Sequence, residues 1–324
     1  MSIVEKECCF CGCNQGKILF PKEMYYGTRK TYRYLHCDNC GGLICQDSVP
    51  VLEAYPPEYY SFQKVVMSHS LFSNARALLR KFKTSILLGH FSMIRSVMAG
   101  LFSEHYLFPW LRNAKIEKSS RILDVGCGAG ALLFYLKDCG FKSLKGIDPN
   151  IESDMLGDEC VTIWKKSLDS VVGKFDLISF QNVLEHTENP LEVLLKSKEL
   201  LADDGHILIF TPVSDCHAFR KYGIYWASLD APRHLSIPST LSMHLLAEKA
   251  GLFVVKSDSL SSAFQFLNSE LYMANISSTE ISSDNTRNRL LFSKHDVSKM
   301  VKATKYLDTM RDGDSAMFLL KPNV

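Results

Sequence analysis

The segment "RILDVGCGAGALLFYLKDCG" limits what this chain can become more than any other stretch. Arg121 to Val125 reads as a short strand, Gly126, Gly128 and Gly130 as a tight turn, and Ala131 to Cys139 as a helix stopped by Gly140. A strand that runs through a glycine turn into a helix opens a parallel α/β unit. The helix N-terminus offers unsatisfied N–H groups at the turn, and glycine lets a ligand approach the backbone. Such a unit needs further strands beside it. The chain has 324 residues, 46% of them hydrophobic, enough for one sizeable core and one smaller module.

The stretches that follow supply those strands. "SLKGIDPN" gives a strand ending in Asp148, a carboxylate placed to accept from both hydroxyls of a ribose. "FDLISFQNVLEH" starts a strand at which Asp176 acts as an anchor, and it runs out through Gln181, Asn182 and His186. Asn189 to Leu201 reads as a helix with Pro190 in its first turn. Gly205 opens the strand "HILIFTPV", Thr240 to Ala250 forms a helix ended by Gly251, and "LFVVKS" and "SAMFLLKP" are strands. Asp124 lies inside the first strand, two residues before the glycines, where it can order the loop or reach a cationic group. The glycine spacing alone is not specific, because Gly126, Gly128 and Ala131 also fit the loose dinucleotide pattern.

Taken together, "ILDVGCGAG", "GIDPN" and "FDLISFQNVLEHTENP" resemble the successive motifs of class I S-adenosylmethionine-dependent methyltransferases, over about residues 119–256. The resemblance implies an α/β fold: a Rossmann-like, seven-stranded sheet whose seventh strand is inserted antiparallel. It also implies S-adenosyl-L-methionine as cofactor. Asp124 then looks like the acid near the methionine end, and Gly126, Cys127, Gly128 and Gly130 like the glycine loop. Asp148 looks like the ribose-binding acid. Ser167 and Leu168 lie where the family flanks adenine, and Gln181, Asn182 and His186 look like the mouth of the pocket.

Seven of the eleven cysteines fall in the first 45 residues. Cys8-x-x-Cys11 and Cys37-x-x-Cys40 have the spacing that surrounds one tetrahedral ion, and Zn2+ in a closed, structural role fits four thiolates. A glycine follows each pair (Gly12 and Gly41) and permits positive φ there. Cys9, Cys13 and Cys45 are spare, and Cys13 competes with Cys11 as a ligand. The opening "MSIVEKECC" has no apolar run and no small-residue cleavage site, which argues against secretion and for a cytoplasmic, reducing setting. Three regions follow: a zinc module over 1–50, an aromatic linker ("YPPEYYSF") with helices over 51–118, and the methyltransferase domain over 119–324.

The stretch from Ser85 to Phe102 is mostly apolar but carries His90 and Arg95, and reads as a buried or surface-seated helix rather than a span. Nine Lys or Arg and two Glu between Lys64 and Lys118 make a basic face, solvated or turned to a phosphorylated substrate or to peripheral contact with an anionic membrane. The net charge of +2 names no partner.

Residues 213–238 form a long insertion at the C-terminal edge of the sheet, rich in Tyr, Trp, His, Arg and Lys, and read as a substrate lid. Aromatic rings and an Arg fork suit a sugar or a phosphorylated sugar. "APRHLSIPSTL", "EYYSF" and the four-cysteine module together resemble a branch of methyltransferases acting in sugar and cell-envelope pathways. His234 is the general-base candidate, Arg233 a phosphate or carboxylate binder or a brace for Asp230, and His186 a catalytic or loop-orienting residue. Tyr222, Tyr225 and Trp226 are candidate ring platforms, Tyr59 and Tyr60 reach toward the cleft, and Gln265 and Asn268 line its wall or pack. The expected activity is methyl transfer to a small sugar-type substrate, nucleotide- or lipid-linked. Three alternatives stay open: nucleic-acid or protein methylation, an inactive interaction protein on the same fold, and dinucleotide binding.

Overall fold

The computed structural model describes residues 6–48, 71–88, 105–282 and 291–323. Twelve strands occur among them: β1 (Gly16–Leu19), β2 (Tyr34–Cys37), β3 (Leu43–Cys45), β4 (Arg121–Val125), β5 (Ser143–Ile147), β6 (Met155–Asp158), β7 (Val161–Trp164), β8 (Phe175–Gln181), β9 (Leu201–Pro212), β10 (Ser236–Ile237), β11 (Leu252–Ser259) and β12 (Ser315–Pro322). The large sheet runs in the order β11-β12-β9-β8-β4-β5-β7-β6. β7, β5, β4, β8 and β9 are mutually parallel, whereas β12 lies antiparallel between β9 and β11. This is the expected seven-stranded α/β sheet, with β6 added at one edge as the antiparallel arm of a hairpin.

Each central strand is apolar on both faces because helices cover both. In β12, Phe318 and Leu320 enter one core and Met317 and Leu319 the other. In β9, Ile207 and Ile209 alternate with Leu208 in the same way. The helix Ala131–Asp138 covers one face, and the helices Pro190–Leu200 and Thr240–Lys249 the other. Asn189 caps the second of these by accepting from the Glu192 N–H, and Ser239 and Ser242 close a reciprocal capping box on the third.

Two boundaries differ from the sequence reading. β9 starts at Leu201 rather than Gly205, because the helix before it passes straight into pairing with Phe175, with a register shift before Leu177. The β6–β7 hairpin had no clear sequence signal: each arm is four residues long, too short to display a period. Asp176 does anchor a strand start, by accepting from the Arg121 backbone N–H at 2.7 Å and pairing with its guanidinium at 2.7 Å.

The second sheet, β1-β2-β3-β10, is antiparallel. Its first three strands belong to the cysteine-rich N-terminal stretch, and its fourth comes from the lid. Phe10, Tyr34 and Leu43 share one apolar core with Phe180 and Phe318 of the large sheet. Among the described residues no helix is long and apolar enough to cross a membrane. Residues 89–102 of the apolar stretch, Lys64 and Arg95 of the basic run, and Tyr59 and Tyr60 lie outside the described residues.

Phe318 is fully buried on the inserted strand. Phe318→Ala is expected to lower the unfolding free energy by about 3–5 kcal/mol in urea titrations, through lost burial and the cavity left behind.

Candidate active site

The site begins where β4 ends. Gly126, Gly128 and Gly130 have φ of 66°, 51° and 79°, a region that strains other residues. A Cβ on Gly126 would lie 2.6 Å from Val183 Cγ2, and one on Gly130 2.2 Å from Ile163 Cδ1. These two glycines therefore answer to packing as well as to turn shape. Asp148 binds the turn: its Oδ2 accepts from the Gly128 N–H at 3.0 Å and its Oδ1 from the Asn150 N–H at 2.8 Å. Each oxygen keeps a second lone pair for a ligand hydroxyl. Asp124 is buried and its Oδ1 has no hydrogen-bond partner. Burial, with the Asp148 charge adding to it, pushes its carboxyl up to about 7, although Ser179 donates to it. An orphaned buried carboxylate beside a glycine turn fits the ammonium end of an amino-acid-bearing cofactor.

At the end of β8, Asn182 adopts φ 54° and donates its N–H to Phe210 O at 2.8 Å. Gln181 is held by Tyr106, whose hydroxyl donates to Gln181 Oε1 at 3.3 Å, and donates in turn to Ser179 Oγ at 2.9 Å. Beyond them opens a cavity of about 470 Å³. Phe210 lines it from β9, Asn182 from the end of β8 and Tyr106 from the turn before the helix Phe108–Asn113, and Glu185, His186, Ser228 and His234 line it from the loop after β8 and the lid. Ser167 opens a short 3-10 turn at Leu168–Ser170, after β7, and neither Ser167 nor Leu168 lines this cavity.

Backbone hydrogen bonds fasten the lid. Leu235 donates its N–H to Glu185 O at 2.7 Å, and its own carbonyl accepts from Cys45 N–H at 2.8 Å. Tyr34 donates its hydroxyl to His234 O at 2.8 Å. Ser214 Oγ donates to Gly41 O at 2.6 Å, and Ser239 Oγ donates to Cys40 O. His234 and Glu185 are thus held by the cysteine-rich sheet and not by the large sheet alone.

Arg233 is the most constrained lid residue, with a side chain only 1% exposed. Its Nε donates to Asp230 Oδ2 at 2.8 Å, Nη2 donates to Asp230 Oδ1, and Nη1 lies 3.4 Å from Glu23 Oε1. Tyr25 and Tyr26 stack against the guanidinium at 4.7 and 5.1 Å. Two carboxylates already take up the guanidinium, so of the expected roles, ligand binder or brace, Arg233 fills that of a brace for Asp230. Tyr222 also serves the frame: it donates to Glu270 Oε1 at 2.7 Å and does not line the cavity. Trp226 is buried and donates to Asp314 at 3.2 Å, Tyr225 is exposed, and Gln265 and Asn268 hydrogen-bond to Thr304 and Ser278 on packing surfaces.

The four sulfurs of Cys8, Cys11, Cys37 and Cys40 lie within 4.8 Å of one another, with Cys8–Cys40 at 3.4 Å and Cys11–Cys37 at 3.5 Å. A tetrahedral ion bound at roughly 2.3 Å to each sulfur would space them by about 3.8 Å, so the donor set fits. Gly12 and Gly41 adopt φ of 81° and 73° and close the two turns with N–H bonds to Cys8 O and Cys37 O. Cys13 stands outside the cluster and accepts from Gln15 N–H at 3.4 Å, which settles its competition with Cys11.

Residues 102–257 match a family model described as a methyltransferase domain. The fold and this match agree on a methyltransferase domain over that segment. The tRNA U34 carboxymethyltransferase of Actinobacillus pleuropneumoniae serotype 7 (strain AP76) is 30% identical over 109 residues, 30% of this chain and 34% of that protein. The mitochondrial ubiquinone biosynthesis O-methyltransferase of Saccharomyces cerevisiae is 30% identical over 104 residues, 29% of this chain and 33% of that protein. The chain spans about a third of the length of these two curated relatives. Magnesium protoporphyrin IX methyltransferase from Synechocystis PCC 6803, solved with bound SAH, is 13% identical, with 81% of this chain and 91% of that chain covered and a TM-score of 0.41.

Within the methyltransferase domain, sequence reading passed over Tyr106 and Glu185. Tyr106 carried no motif. Glu185 stood inside the quoted "QNVLEH", but only its burial at the cavity wall gives it weight. Replacing Arg233 by Leu leaves Asp230 and Glu23 buried without their cation. The loss of unfolding free energy is expected to be about 3–5 kcal/mol at neutral pH, measured by urea unfolding.

Proposed function

We propose that this chain moves a methyl group from S-adenosylmethionine to a small, polyhydroxylated acceptor of the sugar type, held in the cavity beneath the lid. The observation that carries this reading is the cavity itself. Its volume, about 470 Å³, suits a small molecule, and it opens at Asn182 and Tyr106, where the donor's methionine end would lie. Ser228, Ser261, Ser262 and Ser315 give it hydroxyls, and Tyr25 and Phe264 give it ring faces, a mixture suited to a sugar.

The cofactor, when bound, supplies an already activated methyl group. The protein's share is placement. Asp124 receives the donor's ammonium, Asp148 its ribose, and Asn182 with Gln181 closes the turn around its sulfur end. His186 and His234 stand on the acceptor side. Cys8, Cys11, Cys37 and Cys40 hold Zn2+ in a structural role, since four sulfurs leave no open position.

Asp124 gives a pH test. Its carboxyl is pushed up to about 7, so below that pH it is mostly neutral and pairs weakly with an ammonium group. Affinity for S-adenosylhomocysteine, measured by calorimetry, is expected to tighten as pH rises from 6 to 8. Asp124→Asn should weaken binding about tenfold or more and flatten the pH profile. Binding that is equal or tighter at pH 6 would contradict the assignment. The acceptor class is tested by a methyl-transfer screen over free and nucleotide-linked sugars, read by intact mass. Transfer confined to tRNA or protein substrates would overturn the sugar reading.

A further inference from the structure

Glu185, His186 and His234 meet on the lid side of the cavity, and one donor atom from each lies within 4.8 Å of the others. His234 Nδ1 faces the Ser228 carbonyl at 2.8 Å, and His186 Nδ1 faces the Arg233 carbonyl at 2.9 Å. A carbonyl oxygen only accepts, so each Nδ1 carries the hydrogen and each Nε2 carries the lone pair. Metal-binding histidines are oriented in this way, by a backbone acceptor on the far nitrogen.

Glu185 supplies an independent sign. Its side chain is 0% exposed, Oε2 accepts from Thr211 at 3.0 Å, and Oε1 has no hydrogen-bond partner. A buried carboxylate oxygen without a partner is costly unless something cationic meets it. His234 Nε2 lies 4.0 Å from that oxygen, too far for a hydrogen bond. The gap is close to the separation of two donors that share one ion at roughly 2.1 Å each. Asp230 Oδ2 stands 3.8 Å from the same nitrogen, with its carboxylate held by Arg233. All four residues line the cavity, so further coordination positions open toward the acceptor.

We propose that Glu185, His186 and His234 bind one divalent cation of the Mn2+ class, whose open positions grip two neighbouring oxygens of the acceptor. Imidazole and carboxylate donors without sulfur, with room for more oxygen ligands, favour six-coordinate Mn2+ over a closed tetrahedral ion. The proposal deepens the methyl-transfer reading and rests on it for the acceptor. The methylated atom is then a hydroxyl oxygen, acidified by coordination. That hydroxyl loses its proton to water, its oxygen pair forms the new bond to the methyl carbon, and the carbon–sulfur pair leaves with sulfur. The products are a methyl ether, S-adenosylhomocysteine and one proton.

The test titrates Mn2+ into the full-length protein carrying Zn2+ at its thiolates, read by electron paramagnetic resonance. The expected result is one bound Mn2+ per chain. Glu185→Gln and His234→Asn should each weaken it at least tenfold, while His244→Asn, at an exposed histidine outside the cavity, leaves Mn2+ affinity unchanged. Calorimetry with S-adenosylhomocysteine on the same samples reports folding and donor binding. Wild-type protein that binds no Mn2+, or folded variants that bind it as tightly as wild type, would overturn the proposal. The wild-type stoichiometry decides even where a variant fails to fold. Donor binding without Mn2+ removes the cation site alone, and Mn2+ binding without donor removes the methyl-donor reading alone.

Discussion

Ser236 and Ile237 pair as a strand with Ile44 and Leu43, and much of the site depends on that short ladder. The lid segment buries Trp226, Leu229 and Ile237 in the common core, and its end needs a partner for its backbone. Here it is the fourth strand of a sheet whose first three strands surround the four cysteines. A stretch as small as the N-terminal one cannot build a core alone. It borrows one from the large sheet, through Phe10 and Tyr34, and in return gives the lid a rigid edge. The cysteine-rich sheet therefore supports the wall of the cavity at one remove.

The lid can also carry buried charge because each charge has a partner. Arg233 faces Asp230 and Glu23 between two tyrosine rings, and Asp230 is held well ionised chiefly by that guanidinium, against the cost of burial. Such a cluster gives less net stability than an apolar core would, but it fixes geometry. Its result is that the backbone carbonyls of Ser228 and Arg233 point at the two histidines and set which ring nitrogen carries a proton.

The large sheet was readable in the sequence because its strands are buried on both faces and its turns use glycine. "ILDVGCGAG" and "GIDPN" announce themselves by composition, and so did the antiparallel strand at the C-terminal end once the family was suspected. The cysteine pairs were equally plain from spacing. The sequence reading named Asp230 as one partner of Arg233 but left a phosphate or carboxylate ligand open beside it, because Glu23, the second carboxylate, lies 210 residues away. Tyr222 was misjudged for a similar reason: an aromatic residue in a lid looks like a platform until the helix bearing Glu270 packs on it. Glu185 was invisible as a functional residue because nothing local distinguishes a buried carboxylate from an exposed one.

Hydrogen exchange on the full-length protein tests the coupling of lid and cysteine cluster most directly. Cys11→Ser removes one sulfur from the half-exposed side of the cluster, and exchange is compared with wild type. The account predicts that amides of residues 227–237 lose protection together with those of β2 and β3, while β4, β8 and β9 keep theirs. Lid amides that stay as protected as in wild type, while the N-terminal strands open, would contradict it.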